Sequence, residues 1–565
     1  MMKFSRRWFC ELFFRDSSQP RNMNRFNHHS PFFLLFLLSF LAVPFIKIPV
    51  EAQTPPLWGR WEQSFVADND AEPDPATGLI VRLLAPSGKR RVISAFWDGG
   101  RVWRVRFMPD EPGRWRYRTT AFPNYPGLNE QVGEFICRRA PSRNRFSQHG
   151  AIRVAAAGTY LEHHDRTPFF WLGDTAWNGA LLASQEDWRT YLDDRAAKNF
   201  TAIQFVMTAP WRTAPTNAEG KTAFTGRERI TINPQFFKRI DERIEAINAR
   251  GLLAAPVLIW SNHRDDPGRS LPEDQIVRLA KYMVARYAAH HVVWILAGDD
   301  KYEGANAERW QRIGRAVFAE AKQAPVVMHP QGRQWPFEVF QKESWVSLIG
   351  YQSGHGDDNQ TLAWIHSGPP AREWRRQPVR PIINLEPPYE DHVAYQSRQQ
   401  HTAYTVRRAA YWSLLASPMA GLTYGAHGIW SWQLSPDEPL NHQGTGVAKA
   451  WREALALPGS AQMKHLAEFF GALPWSRLRP DQTLLAAQPG ANEPTRFVSV
   501  ARTSDGKVAV IYLPAGGEIA LKERAPKGKR TEWFNPRTGE RTRAGTEDGF
   551  RFRAPDAEDW LLILR

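Results

Sequence analysis

The sequence predicts an α/β protein: a (β/α)8 barrel of the TIM type flanked by an N-terminal and a C-terminal β-sandwich. Three observations predict it. Between residues 150 and 462, eight short apolar segments alternate with helical patterns, the repeat of a parallel barrel. Two of those segments, Val292–Leu296 and Pro381–Leu385, run into carboxylates at their C-terminal ends, where barrels carry their chemistry. The blocks before and after them read as strands separated by turns. At 565 residues the chain exceeds what one core supports. Its 42% hydrophobic and 23% charged residues are ordinary for globular domains.

Residues 1–52 are expected to be a signal peptide. The apolar run from Pro31 to Ile48 follows basic residues and precedes Val50-Glu51-Ala52, a small-residue cleavage site. A start at Met23 gives a leader of ordinary length. Pro44 and Lys47 interrupt the run, which favours cleavage over a retained anchor, so the expected location is secreted or periplasmic, with no stable membrane insertion after cleavage. Cleavage also removes Cys10 and leaves Cys137 alone, so stability must come from packing rather than from a disulfide. The net charge is +15. Setting aside the leader's seven Lys/Arg and three Asp/Glu leaves about +11, spread along the chain. Such a charge can steer an acidic polymer. Nucleic acid is not expected as a partner of an exported chain.

Residues 53–142 hold strands at Gly78–Leu84, Val92–Trp97, Val102–Phe107 and Gly113–Arg118. The last two alternate apolar residues with Arg, the mark of half-buried antiparallel strands. The barrel strands are expected at Phe169–Gly173, Ala202–Met207, Leu252–Trp260, Val292–Leu296, Pro325–His329, Val346–Tyr351, Pro381–Leu385 and Gly421–Gly425. Helical patterns lie between them at Gln185–Asn199, Pro234–Arg250 (with Gly251 as C-cap), Pro272–Ala289 and Arg398–Leu415. An open doubly wound sheet is the alternative, but no Gly-rich phosphate turn follows the first strand. Residues 463–565 return to strands, including Val508–Leu513 and Trp560–Leu564.

Cleaving a glycosidic bond needs a proton donor for the leaving oxygen and a carboxylate for the anomeric centre. Strand 4 ends in Asp299 and strand 7 in Glu386, and both ends project toward the barrel mouth. Asp299 is read as acid/base and Glu386 as nucleophile. Asp299 has a rival in Asp300, which alternation points elsewhere. Glu386 has one in Glu390, which lies beyond Pro387-Pro388. Other strand ends offer substrate-binding candidates: Asp174 and Trp177 after strand 1, Trp260 and His263 at strand 3, and His329 at strand 5. Tyr351, Gln352 and His355 follow at strand 6, and Tyr424 and Trp430 at strand 8. Tyr351 is the candidate hydroxyl for bonding the nucleophile. Together they form a polar-aromatic lining suited to sugar, and 24 tryptophans make stacking platforms plentiful. The sequence contains no HExxH, GxSxG, Walker A or paired CxxC pattern. The doublets His163-His164 and His290-His291 lack the i, i+4 spacing of a helix-borne zinc pair. No cofactor or metal is expected.

At these residues the chain resembles the apiosidase-like glycoside hydrolases of family 140, also described as DUF4038 proteins. The segments that carry the resemblance are FFWLGDTAW, EDW…YL..R…NFTAIQ, VVWILAGD, QSGH, NLEPPYE and RRAAYWSLLASPMAGLTYGAHGIWSW. The block before them looks like a DUF5060 domain, and the block after them like a collagen-binding-type domain. The resemblance implies a retaining hydrolase with Asp299 and Glu386 in the two carboxylate roles. It also implies a carbohydrate substrate, with apiose-bearing pectic side chains as the precedent. Small departures from the family pattern, Ala297 before Gly298-Asp299 and Ala416-Ser417 in the strand 8 block, bear on fine specificity. The alternative reading is a non-catalytic carbohydrate-binding or cell-surface protein on the same scaffold. The residues give no support to collagen binding.

Overall fold

The computed structural model describes residues 54–68, 78–319, 324–523, 530–546 and 548–565. The expected signal peptide lies outside the described residues. Eight parallel strands form the central sheet: β1 Trp171–Thr175, β2 Ala202–Val206, β3 Leu253–Trp260, β4 Trp294–Asp300, β5 Val326–Pro330, β6 Ile349–Gln352, β7 Ile382–Glu386 and β8 Gly421–Tyr424. Their order is 5-4-3-2-1-8-7-6. The seam between β5 and β6 is bridged by backbone bonds, Ser347 N–H to the Val326 carbonyl (2.8 Å) and Arg333 N–H to the Gln352 carbonyl (2.7 Å). The result is the expected (β/α)8 barrel. Nearly every residue of these strands is buried, because helices cover the outer face and side chains fill the lumen.

The helices form where the apolar spacing placed them. Helix α1, Gln185–Ala197, starts on Ser184, whose hydroxyl accepts the Asp187 N–H. Helix α2, Pro234–Ala249, has Pro at its first turn and buries Phe236, Phe237, Ile240, Ile244 and Ile247 on one face. Each such side chain contributes roughly 1.5–3 kcal/mol on burial. Helix α3 spans Glu273–Tyr287 and α4 Gly304–Phe318. The helix before β8, α5 (Ala403–Ala416), begins five residues later than the pattern from Arg398 suggested. Arg398 has φ +63, outside the helical region, and Val393 pairs with Gln400 as an antiparallel bridge. Thr402 then caps the helix. The expected first strand likewise starts two residues late, because Pro168–Phe169 pairs with Leu161–Glu162 in a separate small sheet.

The N-terminal block forms two antiparallel sheets, one of three and one of four strands. They enclose Trp61, Val81, Trp103, Val105, Trp115 and Phe135. Arg106 joins this block to the barrel. Its guanidinium grips both oxygens of Asp241 on α2 at 2.9 Å each, and Arg286 on α3 shares the same carboxylate. The C-terminal block is a six-stranded antiparallel sheet with a two-stranded companion. Its alternation serves two cores. Val510, Tyr512, Leu561 and Ile563 face the barrel, while Ile511, Leu513, Leu562 and Leu564 close the block's own core. A last helix, α6 (Pro458–Gly471), packs between them and crosses position 462/463, the expected domain boundary. Among the described residues no helix is long and apolar enough to cross a membrane.

Candidate active site

Strand β4 does not stop at Leu296. It continues through a register irregularity at Gly298–Asp300, with Asp299 at φ +55. Asp is among the few residues that tolerate this region. Gly298 carries no Cβ because the Trp260 ring lies 2.4 Å from where one would stand. The kink separates the two aspartates. Asp300 is fully buried and saturated: Ser261 Oγ and Trp310 Nε1 each donate to Oδ2 at 2.7 Å, the Lys301 N–H donates to Oδ1 at 2.7 Å, and Arg269 pairs with it. Asp299 is part exposed, and Asn262 Nδ2 donates to it.

Glu386 ends β7 and is buried. His355 Nε2 lies 3.1 Å from Oε1, and His329 Nε2 lies 3.3 Å from Oε2. The Nδ1 of His355 accepts the Tyr389 backbone N–H (3.3 Å), so its proton sits on Nε2 and points at Glu386. The rival Glu390 is consumed elsewhere, accepting Tyr424 Oη–H at 2.6 Å and the Gly459 N–H at 3.0 Å.

The two carboxylates sense each other's charge and are driven apart in acidity. Burial, with the negative charge of Glu386 added, pushes Asp299 up to about 7 against the opposing charges of His329 and Arg212. Burial also acts to raise Glu386, but His329 and His355 overcome it and hold Glu386 below the usual carboxylate range.

Aromatic rings surround the pair. Trp177 stands edge-on to His329 (5.3 Å) and tilts against Trp260 (5.2 Å). Trp211 continues the row at 5.4 Å from Trp260 and 4.8 Å from Trp430. His263 is exposed at the rim, its N–H on Asp266. Gln352 is buried at the end of β6 beside Gly332.

Three sequence candidates stand elsewhere. Asp174 and Tyr424 are register partners on β1 and β8 and share the outward face. Asp174 accepts Tyr191 Oη–H and Arg195 Nε–H, both at 2.6 Å and fully buried. Tyr424 bonds Glu390. We expect Asp174→Ala to cost at least about 1–3 kcal/mol in urea unfolding, because the buried Arg195 Nε–H and Tyr191 Oη–H lose their acceptor and Arg195 keeps only Asp194 as an ion-pair partner, with KM unchanged. Tyr351 also faces outward, into a cluster with Phe337, Ile349 and Ile382.

The hydroxyl at Glu386 is instead that of Tyr389, three residues on. Its oxygen accepts Trp177 Nε1–H (3.1 Å), which leaves its own proton for the carboxylate. Burial and the Glu386 charge keep that phenol protonated. Its ring occupies the space a Cβ on Gly425 would need, 2.0 Å away. Tyr389→Phe is therefore expected to lower kcat about tenfold or more, as loss of a hydrogen bond to a charged group implies, in steady-state kinetics. Sequence reasoning also missed Asn262, Trp211 and Arg212. All three sit in loops past strand ends, and Arg212 (φ +56) is held across the mouth by the Asn441 carbonyl (2.7 Å).

Residues 155–477 match the family model of the apiosidase-like catalytic domain. Residues 54–122 match DUF5060, a domain of unknown function, and residues 479–565 match a family named as a collagen-binding domain of a collagenase. Among solved structures, a glycoside hydrolase is 23% identical with a TM-score of 0.66, over 75% of this chain and 98% of that one. A family 5 glycoside hydrolase from Bacteroides vulgatus ATCC 8482 is 22% identical with a TM-score of 0.64, over 74% and 94%. A protein of the same organism assigned to the glycoside hydrolases is 17% identical with a TM-score of 0.68, over 91% and 99%. At these identities the likeness is one of fold. No curated protein matches the chain.

Proposed function

The chain belongs to the apiosidase-like catalytic-domain family, and from that premise we propose that it is an exported retaining glycoside hydrolase, acting on a polysaccharide or its oligosaccharides. Asp299 is the acid/base and Glu386 the nucleophile. The observation that carries the reading is the divergence of the two carboxylates at one barrel mouth, one held protonated toward neutrality and one held ionised. In the first step Asp299 gives its proton to the leaving oxygen while Glu386 bonds the anomeric carbon, forming a glycosyl ester and breaking the glycosidic bond. In the second, Asp299 takes a proton from water, the water oxygen bonds the anomeric carbon, and Glu386 leaves as carboxylate.

His329, His355 and Tyr389 keep Glu386 charged and aimed. Of the four indoles Trp211 keeps the most exposed surface, and it is the candidate face for a sugar ring, backed by the buried Trp260 and Trp430. The family's name points to apiosides, and the positive net charge suits side chains of an acidic pectin. The test is release of sugar from a panel of aryl glycosides and pectic oligosaccharides, with the product anomer followed by proton NMR from the first turnovers. Release of the retained anomer supports the proposal. An inverted first product would remove the nucleophile role from Glu386. Binding of oligosaccharide without release from any substrate would favour a carbohydrate-binding protein on the same scaffold.

A further inference from the structure

A second cavity lies behind the loop that follows Glu386, where α5 begins against the C-terminal block. It is a partly open pocket of about 140 Å³, bounded by Asp357, Leu362, Pro388, His401, Arg408 and Trp412, among others. Arg408 is 8% exposed, and its Nε is buried without a partner. Among the described residues its guanidinium has neither an ion-pair nor a hydrogen-bond partner. Tyr404 and Trp412 lie at 5.2 and 5.0 Å from it. Aromatic faces attract the cation but give no acceptor to N–H groups that lie in the guanidinium plane. The buried Nε–H is left without an acceptor and the Nη groups open on the pocket, the arrangement in which a guanidinium takes up a carboxylate. Asp357 does not fill the role, since its Oδ1 accepts the Ser397 N–H (3.1 Å) and it forms no ion pair with Arg408. The first turn of the 14-residue helix α5, at Thr405, opens on the same cavity and adds the positive end of the helix dipole.

We propose that this cavity is a binding site for a small organic carboxylate, its charge on Arg408 and its apolar part against Leu362 and Trp412. The volume sets an upper bound on the size, since about 150 Å³ is the space of a six-carbon ring. The mixed lining sets the class, since an inorganic oxyanion has no use for an apolar wall. The site is wired to the carboxylate pair without being part of it. Pro388 stands two residues after Glu386, and His401 Nε2–H donates to the His355 carbonyl at 3.0 Å. The proposal does not rest on the hydrolase reading, because its test measures binding and position alone.

The experiment titrates the full chain with propionate, using isothermal calorimetry, and repeats it with propionamide, phosphate and Arg408→Met. Saturable binding of propionate, weakened about tenfold or more by Arg408→Met and absent for propionamide, is expected from loss of a charge-assisted contact. Equal binding of the amide, or of propionate to the variant, would overturn the proposal, as would binding of phosphate alone. The second measurement needs no variant: crystals of the wild-type chain soaked in 3-bromopropionate should show an anomalous bromine peak between Arg408 and Trp412. A peak elsewhere, or water alone in that space, would overturn it too.

Discussion

Glu386→Gln is expected to abolish turnover, with kcat lowered at least about a thousandfold on every substrate the wild type cleaves. The amide keeps the shape of the carboxylate and can still meet His329 and His355, so the fold should survive and the loss should be chemical. It cannot bond the anomeric carbon, because its oxygen lacks the charge that the two imidazoles stabilise. Glu386→Ala goes further by opening a space at the same place. Added azide is then expected to restore release, and the product should be the glycosyl azide of opposite anomeric configuration, since the small anion enters from the face that Glu386 occupied. The measurement is steady-state kinetics with and without azide, with product configuration by NMR. Retention of more than about a tenth of wild-type kcat in Glu386→Gln would shift the nucleophile role to another residue.

Much of this arrangement was legible in the sequence because a parallel barrel makes strong local signals. Strands buried on both faces read as apolar runs, and each barrel strand is followed by its chemistry-bearing loop. Asp299 and Glu386 could be placed at the ends of β4 and β7 for that reason. The misplaced residues failed on parity. Asp174, Tyr351 and Tyr424 are all at strand ends, but a strand shows alternate residues to its two faces, and a boundary off by one or two residues cannot say which. Thr175, next to Asp174, is the residue that turns inward, meeting Gln204 in the lumen at 3.4 Å. At β6 the ladder itself slips between Tyr351 and Gln352. The missed residues failed for another reason. Trp211 and Arg212 reach the mouth through a loop whose path is set by a left-handed backbone and a bond to Asn441, 229 positions away. Tyr389 was visible in NLEPPYE, yet its ring direction depends on the bare Cα of Gly425 in the next strand's loop. Such contacts are tertiary and leave no periodic trace.

The second large effect is on pH dependence, and it separates the two carboxylates. The wild-type kcat/KM profile is expected to be bell-shaped. Its basic limb falls near pH 7, where Asp299 loses the proton it must donate, and its acidic limb lies below the usual carboxylate range, where Glu386 takes one up. These are values of a coupled pair, so each depends on the other's charge. Removing the charge in Glu386→Gln takes away the larger of the two negative charges that add to burial in raising Asp299, the other being Asp266, and its titration should move to lower pH. Carbon-13 NMR of the labelled Asp299 carboxyl reads this directly, without turnover. Asp299→Asn removes the basic limb and should lower kcat/KM about 10²–10⁴-fold on poor leaving groups, the usual worth of a positioned acid. Aryl glycosides with acidic phenols, which need no proton to leave, should lose far less in the bond-breaking step. The same group bears on stability. A carboxyl whose folded pKa lies above its unfolded value opposes folding once pH exceeds the unfolded pKa, and the opposition is complete above the folded one. Asp299→Asn should therefore unfold at higher urea concentration than wild type at pH 8 and show no such gain at pH 3, where the side chain at position 299 is neutral in both chains. A pH-independent difference between the two chains would mean that Asp299 is not held protonated by its surroundings, and the acid role would pass from it.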